Sequence, residues 1–139
     1  MDVIHEGGCL CGEVRYRARG EPLMAMICHC RFCQRRTGSA FAEAVFFPED
    51  RVEFSRAPRS QYEHRSDESG RWMRLEFCPR CGTTMSWISE RRPGVRAVAA
   101  GSLDAPESVT FNRHIWTRSA QPWMTFPASV ECLEKGAPS

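Results

Sequence analysis

Residues 78–82 read Cys78-Pro79-Arg80-Cys81-Gly82, and the fate of their two sulfurs decides what kind of fold the chain has. C-x-x-C followed by glycine forms a tight knuckle whose backbone N–H groups can point at the sulfurs and stabilise thiolates on zinc. A knuckle supplies two ligands, whereas a tetrahedral structural zinc site takes four. Cys9-Leu10-Cys11-Gly12, far away in the sequence, supplies a second pair. In an extended segment residues i and i+2 face the same side, so Cys9 and Cys11 can reach one ion together. The result is a closed four-cysteine site that ties the start of the chain to its middle. The competing reading, a thioredoxin-like redox pair at Cys78 and Cys81, requires a βαβ context.

Residues 28–33 read CHCRFC and leave a different count. Cys28, Cys30 and Cys33 can hold one ion from a strand end and the turn after it, and three ligands leave a coordination position open. His29 sits between two of them, and in an extended stretch it turns to the opposite face. Cys132 stands alone near the C-terminus and is read as an ordinary half-buried thiol. Soft sulfur ligands favour zinc and accept a further sulfur, so an incoming thiol bound there loses its proton readily and becomes a nucleophile or leaving group. Cys28, Cys30 and Cys33 are therefore the candidate catalytic residues.

The composition is consistent with this. A chain of 139 residues fits one domain with a real hydrophobic core, here expected over 1–133 with a loose polar tail at 134–139. Eight cysteines would also suit a secreted disulfide scaffold, but no basic stretch followed by an apolar segment opens the sequence. The longest apolar run, 23–28, is too short to span a bilayer. The expectation is a soluble, cytoplasmic protein without membrane contact. The formal charge of +2 becomes about −1 once seven thiolates hold two zinc ions, which gives no electrostatic case for nucleic acid. A homodimer is compatible with the sequence.

Helical periodicity is scarce. Short runs with period-two alternation recur at 14–18, 23–28, 41–47, 61–65, 72–77, 84–88 and 95–99, divided by turn chemistry such as Arg92-Pro93-Gly94. This predicts a mainly β, antiparallel domain with one short helical turn over 31–37. Phe46, Phe47 and Phe77 are read as core.

Over nearly its whole length the chain resembles the glutathione-dependent formaldehyde-activating enzyme family, which includes centromere protein V. The stretches that carry the resemblance are GGCLCGEVRY at 7–16, CHCRFCQRRTGSAF at 28–41, FCPRCGTTM at 77–85, AGSLD at 100–104, HIW at 114–116 and QPW at 121–123. The resemblance implies a β-tent fold, a structural zinc on Cys9, Cys11, Cys78 and Cys81, and a second zinc on Cys28, Cys30 and Cys33. It also implies addition of glutathione to formaldehyde to give S-hydroxymethylglutathione, an activity classed in reverse as a carbon–sulfur lyase.

Glutathione's carboxylates would then meet basic groups, for which Arg31, Arg35 and Arg36 are the candidates by sequence proximity. Thr37 and Ser39 are candidate donors to sulfur or simply turn residues. His114, Trp116 and Trp123 are candidates for a pocket wall or for core. The rival expectation, from another functional class, is a zinc-stabilised binding module without catalysis.

Overall fold

Strands dominate the computed structural model of the chain, which describes residues 2–137. In chain order they are β1 (Ile4–Gly8), β2 (Arg15–Arg19), β3 (Met24–Cys28), β4 (Ala42–Pro48), β5 (Val52–Phe54), β6 (Ser60–Arg65), β7 (Trp72–Phe77), β8 (Thr84–Ser89), β9 (Val95–Ala99), β10 (Arg113–Ile115) and β11 (Glu131–Cys132). One α-helix, α1 (Arg31–Thr37), interrupts them. Each predicted run holds a strand to within one residue at either end, and the helical turn has its expected bounds.

The strands form two sheets. One has the order β1-β2-β5, the other β11-β10-β3-β4-β9-β8-β7-β6. Their cores explain the sequence pattern. Tyr16 and Ala18 of β2 meet Val45 and Phe47 of β4, Met85 of β8 and Val98 of β9, so the small sheet covers one face of the large one. On the opposite face Met26, Ala44, Phe46, Leu75, Trp87 and Ala97 pack together under Phe32 of α1 and Leu133 and Ala137 of the C-terminal segment. Strand β4 is thus covered on both faces, which is why Ala42-Glu43-Ala44-Val45-Phe46-Phe47 is almost uninterruptedly apolar instead of alternating. Phe46 and Phe47 are buried as expected, while Phe77 is only half-buried.

Three expectations need correction. The large sheet is not wholly antiparallel, because β10 runs parallel to both β3 and β11. Cys132 lies exposed on β11, because that strand forms the outer edge of the sheet. The segment expected to be loose is tied down over its described part: the Lys135 carbonyl accepts from the Trp116 N–H at 3.0 Å, and Ala137 is buried and accepts from Arg91. Residues 138 and 139 lie outside the described residues.

A buried ionic group braces the large sheet. Arg96 on β9 donates to Glu76 on β7, to the Ser86 hydroxyl on β8 at 3.1 Å and to Glu49 at 2.9 Å. Between Glu76 and Phe77 the β7–β8 register shifts, and such an irregularity re-aims the residues that follow it. The next residue is Cys78.

Candidate metal centres

The first sulfur cluster is made by two loops of similar build. After β1, the Cys9 N–H donates to the Val14 carbonyl and the Gly12 N–H returns to the Cys9 carbonyl; after β7, the Cys78 N–H donates to the Thr83 carbonyl and the Gly82 N–H returns to the Cys78 carbonyl. Both turns close through a glycine in the left-handed region, with φ of 82° at Gly12 and 80° at Gly82, a conformation that costs a side-chain-bearing residue energy. Each loop also aims an N–H at a sulfur, Val14 at Cys9 Sγ (3.3 Å) and Arg80 at Cys78 Sγ (3.4 Å). Cys9 and Cys11 are brought together by this turn, beyond the end of β1, and not by the extended chain expected.

The four sulfurs of Cys9, Cys11, Cys78 and Cys81 all lie within 4.8 Å of one another. Cys11 Sγ stands 3.6 Å from Cys9 Sγ and 3.8 Å from Cys78 Sγ. A tetrahedral ion with zinc–sulfur bonds of about 2.3 Å requires sulfur–sulfur edges of about 3.8 Å, so the arrangement fits zinc. Thr83 completes it. Its hydroxyl accepts from the Leu10 N–H at 3.1 Å and lies 3.2 Å from Cys81 Sγ, linking the two loops. Hydrogen bonds from the Thr83 side chain and backbone hold the Cys81 thiol down at about 5.

The second cluster is built from the end of β3 and the start of α1. Cys28 is the last residue of β3, Cys30 is the N-cap of α1 and accepts the Cys33 N–H on its sulfur at 3.3 Å, and Cys33 lies in the first turn. The three sulfurs lie within 4.8 Å of one another. Crowding makes their protons interdependent. Cys30, accepting from the Cys28 and Cys33 thiols, is held down at about 3. Cys33 rises to about 11, because hydrogen bonding to Cys30 and burial outweigh its contact with Cys28. Cys28 is pushed up by its hydrogen bonds to both and by burial. Without a cation the site holds one thiolate easily and resists three. A divalent ion removes that conflict, so this donor set also fits zinc. All eight cysteines are free of disulfides.

His29 is turned away from the sulfurs. Fully buried, it places Nε2 2.9 Å from Nδ1 of His114, with the Phe126 ring edge-on to both imidazoles and Phe41 beside His29. Burial lowers the pKa of both, and His114 lowers that of His29 further. Gln34 is a residue that the sequence did not single out. Buried on α1, it donates to the carbonyls of His29 and Ser119, each at 2.8 Å, and accepts from Arg31 and from Gln121 Nε2. The loop carrying the sulfurs is thereby fixed to the segment after β10. Only a contact map reveals this, since the partner residues lie 85 and 87 positions away.

The chemistry-bearing candidates separate as follows. Arg31 is exposed and occupied by Gln34, and Arg35 is exposed. Arg36 is half-buried, with its guanidinium 4.1 Å from the centre of the Trp87 ring. A cleft of about 360 Å³ beside α1 is lined by Arg36, Thr37, Ser39, Phe41, Trp87 and Gly101, among others. Thr37 Oγ1 donates to the Cys33 carbonyl at 2.7 Å, not to a sulfur. His114 is enclosed in the imidazole pair, Trp116 takes a left-handed backbone (φ 57°) under Arg118, and Trp123 is 66% exposed.

The model of the family described as "Glutathione-dependent formaldehyde-activating enzyme" matches residues 4–119, most of the chain and all seven clustered cysteines. The chain belongs to this family. Among solved structures it is similar to a protein of Rhodobacter sphaeroides, with a TM-score of 0.56 and 24% identity over 71% of this chain and 87% of that one, a likeness of fold. No curated protein matches it. Membership in the glutathione-dependent formaldehyde-activating family agrees with a pair of sulfur clusters fit for zinc. Among the described residues no helix is long and apolar enough to cross a membrane.

Proposed function

We propose that the chain is a zinc-dependent carbon–sulfur lyase-like enzyme that adds a thiol such as glutathione to formaldehyde, or runs the reverse reaction, at Cys28, Cys30 and Cys33. The single observation that supports this most is the unequal count of the two clusters. Four sulfurs converge at Cys9, Cys11, Cys78 and Cys81, and three at Cys28, Cys30 and Cys33. His29, the nearest imidazole in the sequence, is engaged with His114 instead. The first site is structural, the second active.

Zinc held by Cys28, Cys30 and Cys33 would lower the pKa of a thiol brought to it. The protein contributes rigidity. Cys30 and Cys33 are fixed by the helix cap, Cys28 by the β3–β4 pairing, and the intervening loop by Gln34 and the imidazole pair. The half-buried setting limits water around the sulfurs. In the reaction the thiol sulfur forms a bond to the carbonyl carbon of formaldehyde, the carbonyl π bond breaks, and the proton given up by sulfur ends on the new hydroxyl. Holding the thiol in place turns a bimolecular addition into an oriented one.

The test is exchange spectroscopy with ¹³C-formaldehyde and glutathione. Zinc-loaded protein is expected to speed formation and breakdown of the adduct in proportion to its concentration, and Cys30→Ala to abolish the effect. Exchange at the buffer rate with fully loaded protein would defeat the proposal.

A further inference from the structure

We propose that Arg36 is the specificity-determining residue of this site, binding a carboxylate of the thiol so that acidic thiols are preferred over neutral or cationic ones. The inference rests on the reading of Cys28, Cys30 and Cys33 as a thiol site and concerns what else the thiol must carry.

Arg36 is the one arginine among the residues that line the cleft beside α1. Six arginines have a carboxylate within 4.0 Å among the described residues, namely Arg15, Arg17, Arg59, Arg74, Arg96 and Arg113, and Arg36 is not one of them. Its Nε is buried without a hydrogen-bond partner. A buried donor left unpaired is costly. A ligand that supplies the acceptor removes that cost.

The surroundings indicate which ligand. The guanidinium lies over the Trp87 ring at 4.1 Å and near Phe32 at 5.8 Å. Stacking holds the plane of the fork and leaves its edge for an acceptor, and a planar carboxylate matches that edge with two parallel hydrogen bonds. Arg36 and the hydroxyl-bearing Thr37 and Ser39 line the same cleft of about 360 Å³, within the range that takes small molecules. Glu43 also borders the cleft, but by strand alternation its side chain shares the face of Val45 and Phe47, which is turned to the three-stranded sheet.

Position relative to the sulfurs fits as well. Cys33 and Arg36 are three residues apart on α1, so they are neighbours on one helical face, with Cβ atoms about 5–6 Å apart. Ala42, which also lines the cleft, is paired in register with Cys28. A thiol with its sulfur at the cysteines therefore has a cation within reach, a few bonds from the sulfur.

The experiment is calorimetric titration of the zinc-loaded full chain with 3-mercaptopropionate, 2-mercaptoethanol and cysteamine. The wild-type protein is expected to bind 3-mercaptopropionate about tenfold more tightly than mercaptoethanol, the size of effect a hydrogen-bonded charge gives, and cysteamine least well. Arg36→Gln should erase that preference while leaving mercaptoethanol affinity unchanged, and Arg36→Lys should restore part of it. Equal affinity for all three thiols, or an Arg36→Gln loss shared equally by all three, would overturn the inference and leave the thiol site standing. If mercaptoethanol does not bind at all, the thiol-site reading fails, and 3-(methylthio)propionate then decides the role of Arg36. Binding to wild type that Arg36→Gln abolishes supports it, and no binding to either overturns it.

Discussion

Cys11 Sγ and Cys78 Sγ stand 3.8 Å apart although 67 positions separate them in the chain. The contact joins the loop after β1 in the small sheet to the loop after β7 in the large one. A metal held there closes a long loop and holds the two sheets together, so its binding energy is folding energy, on the order of 10 kcal/mol in small zinc domains. Cys78→Ala is expected to unfold the chain or lower its Tm drastically, with loss of helical and strand signal in circular dichroism at room temperature. A Tm near wild type would show that this cluster is not a structural brace.

The second cluster should behave differently. Cys28, Cys30 and Cys33 join only the end of β3 to the helix that follows it, over six residues of sequence. Cys30→Ser is expected to lower the zinc content of purified protein from two ions to one while the circular dichroism spectrum is kept. Metal analysis by mass spectrometry checks the count.

Burial lowers the His114 pKa, which sets the sign of a pH effect. An unfolded histidine takes up its proton near pH 6.5, while the buried one resists until lower pH, so below about 6.5 the unfolded state binds more protons and stability falls with pH. The loss continues until the pH drops through the folded value. His114→Asn should weaken this dependence between pH 7 and 5 in denaturant titrations. It should also cost about 1–3 kcal/mol at neutral pH, because His29 Nε2 loses its buried partner.

Arg96 offers a test of the large sheet. Replacing it by methionine leaves Glu76 buried with only Arg59 nearby, at 3.8 Å. Removing one member of a buried ion pair costs about 3–5 kcal/mol. Arg96→Met should fall in that range by urea unfolding, and adding Glu76→Leu should recover much of it.

The parts legible in the sequence are those with local signals. Strands of five or more residues with alternating or apolar runs announce themselves, as β2, β4, β7 and β9 do. So does α1, which begins at a cysteine cap and ends at Gly38 in the left-handed region. Strand β1 is concealed by its two glycines, and β5, β10 and β11 have three, three and two residues, too few to establish a period. Cysteine spacing identified both clusters because ligand count and geometry are a property of the residues themselves. Gln34, Thr83 and the partnership of His29 with His114 were not legible, because each depends on a contact between distant segments that no local pattern encodes. The choice of Arg36 among three neighbouring arginines likewise needed the position of Trp87.

In the reaction proposed above, Cys28, Cys30 and Cys33 form an open site that takes a thiol. X-ray absorption on zinc-loaded protein, before and after addition of 3-mercaptopropionate, tests it most directly. The sulfur shell is expected to grow and the shell of lighter ligands to disappear, with neither change in Cys30→Ser. A spectrum that stays the same at saturating thiol would contradict it and favour a zinc-stabilised binding module.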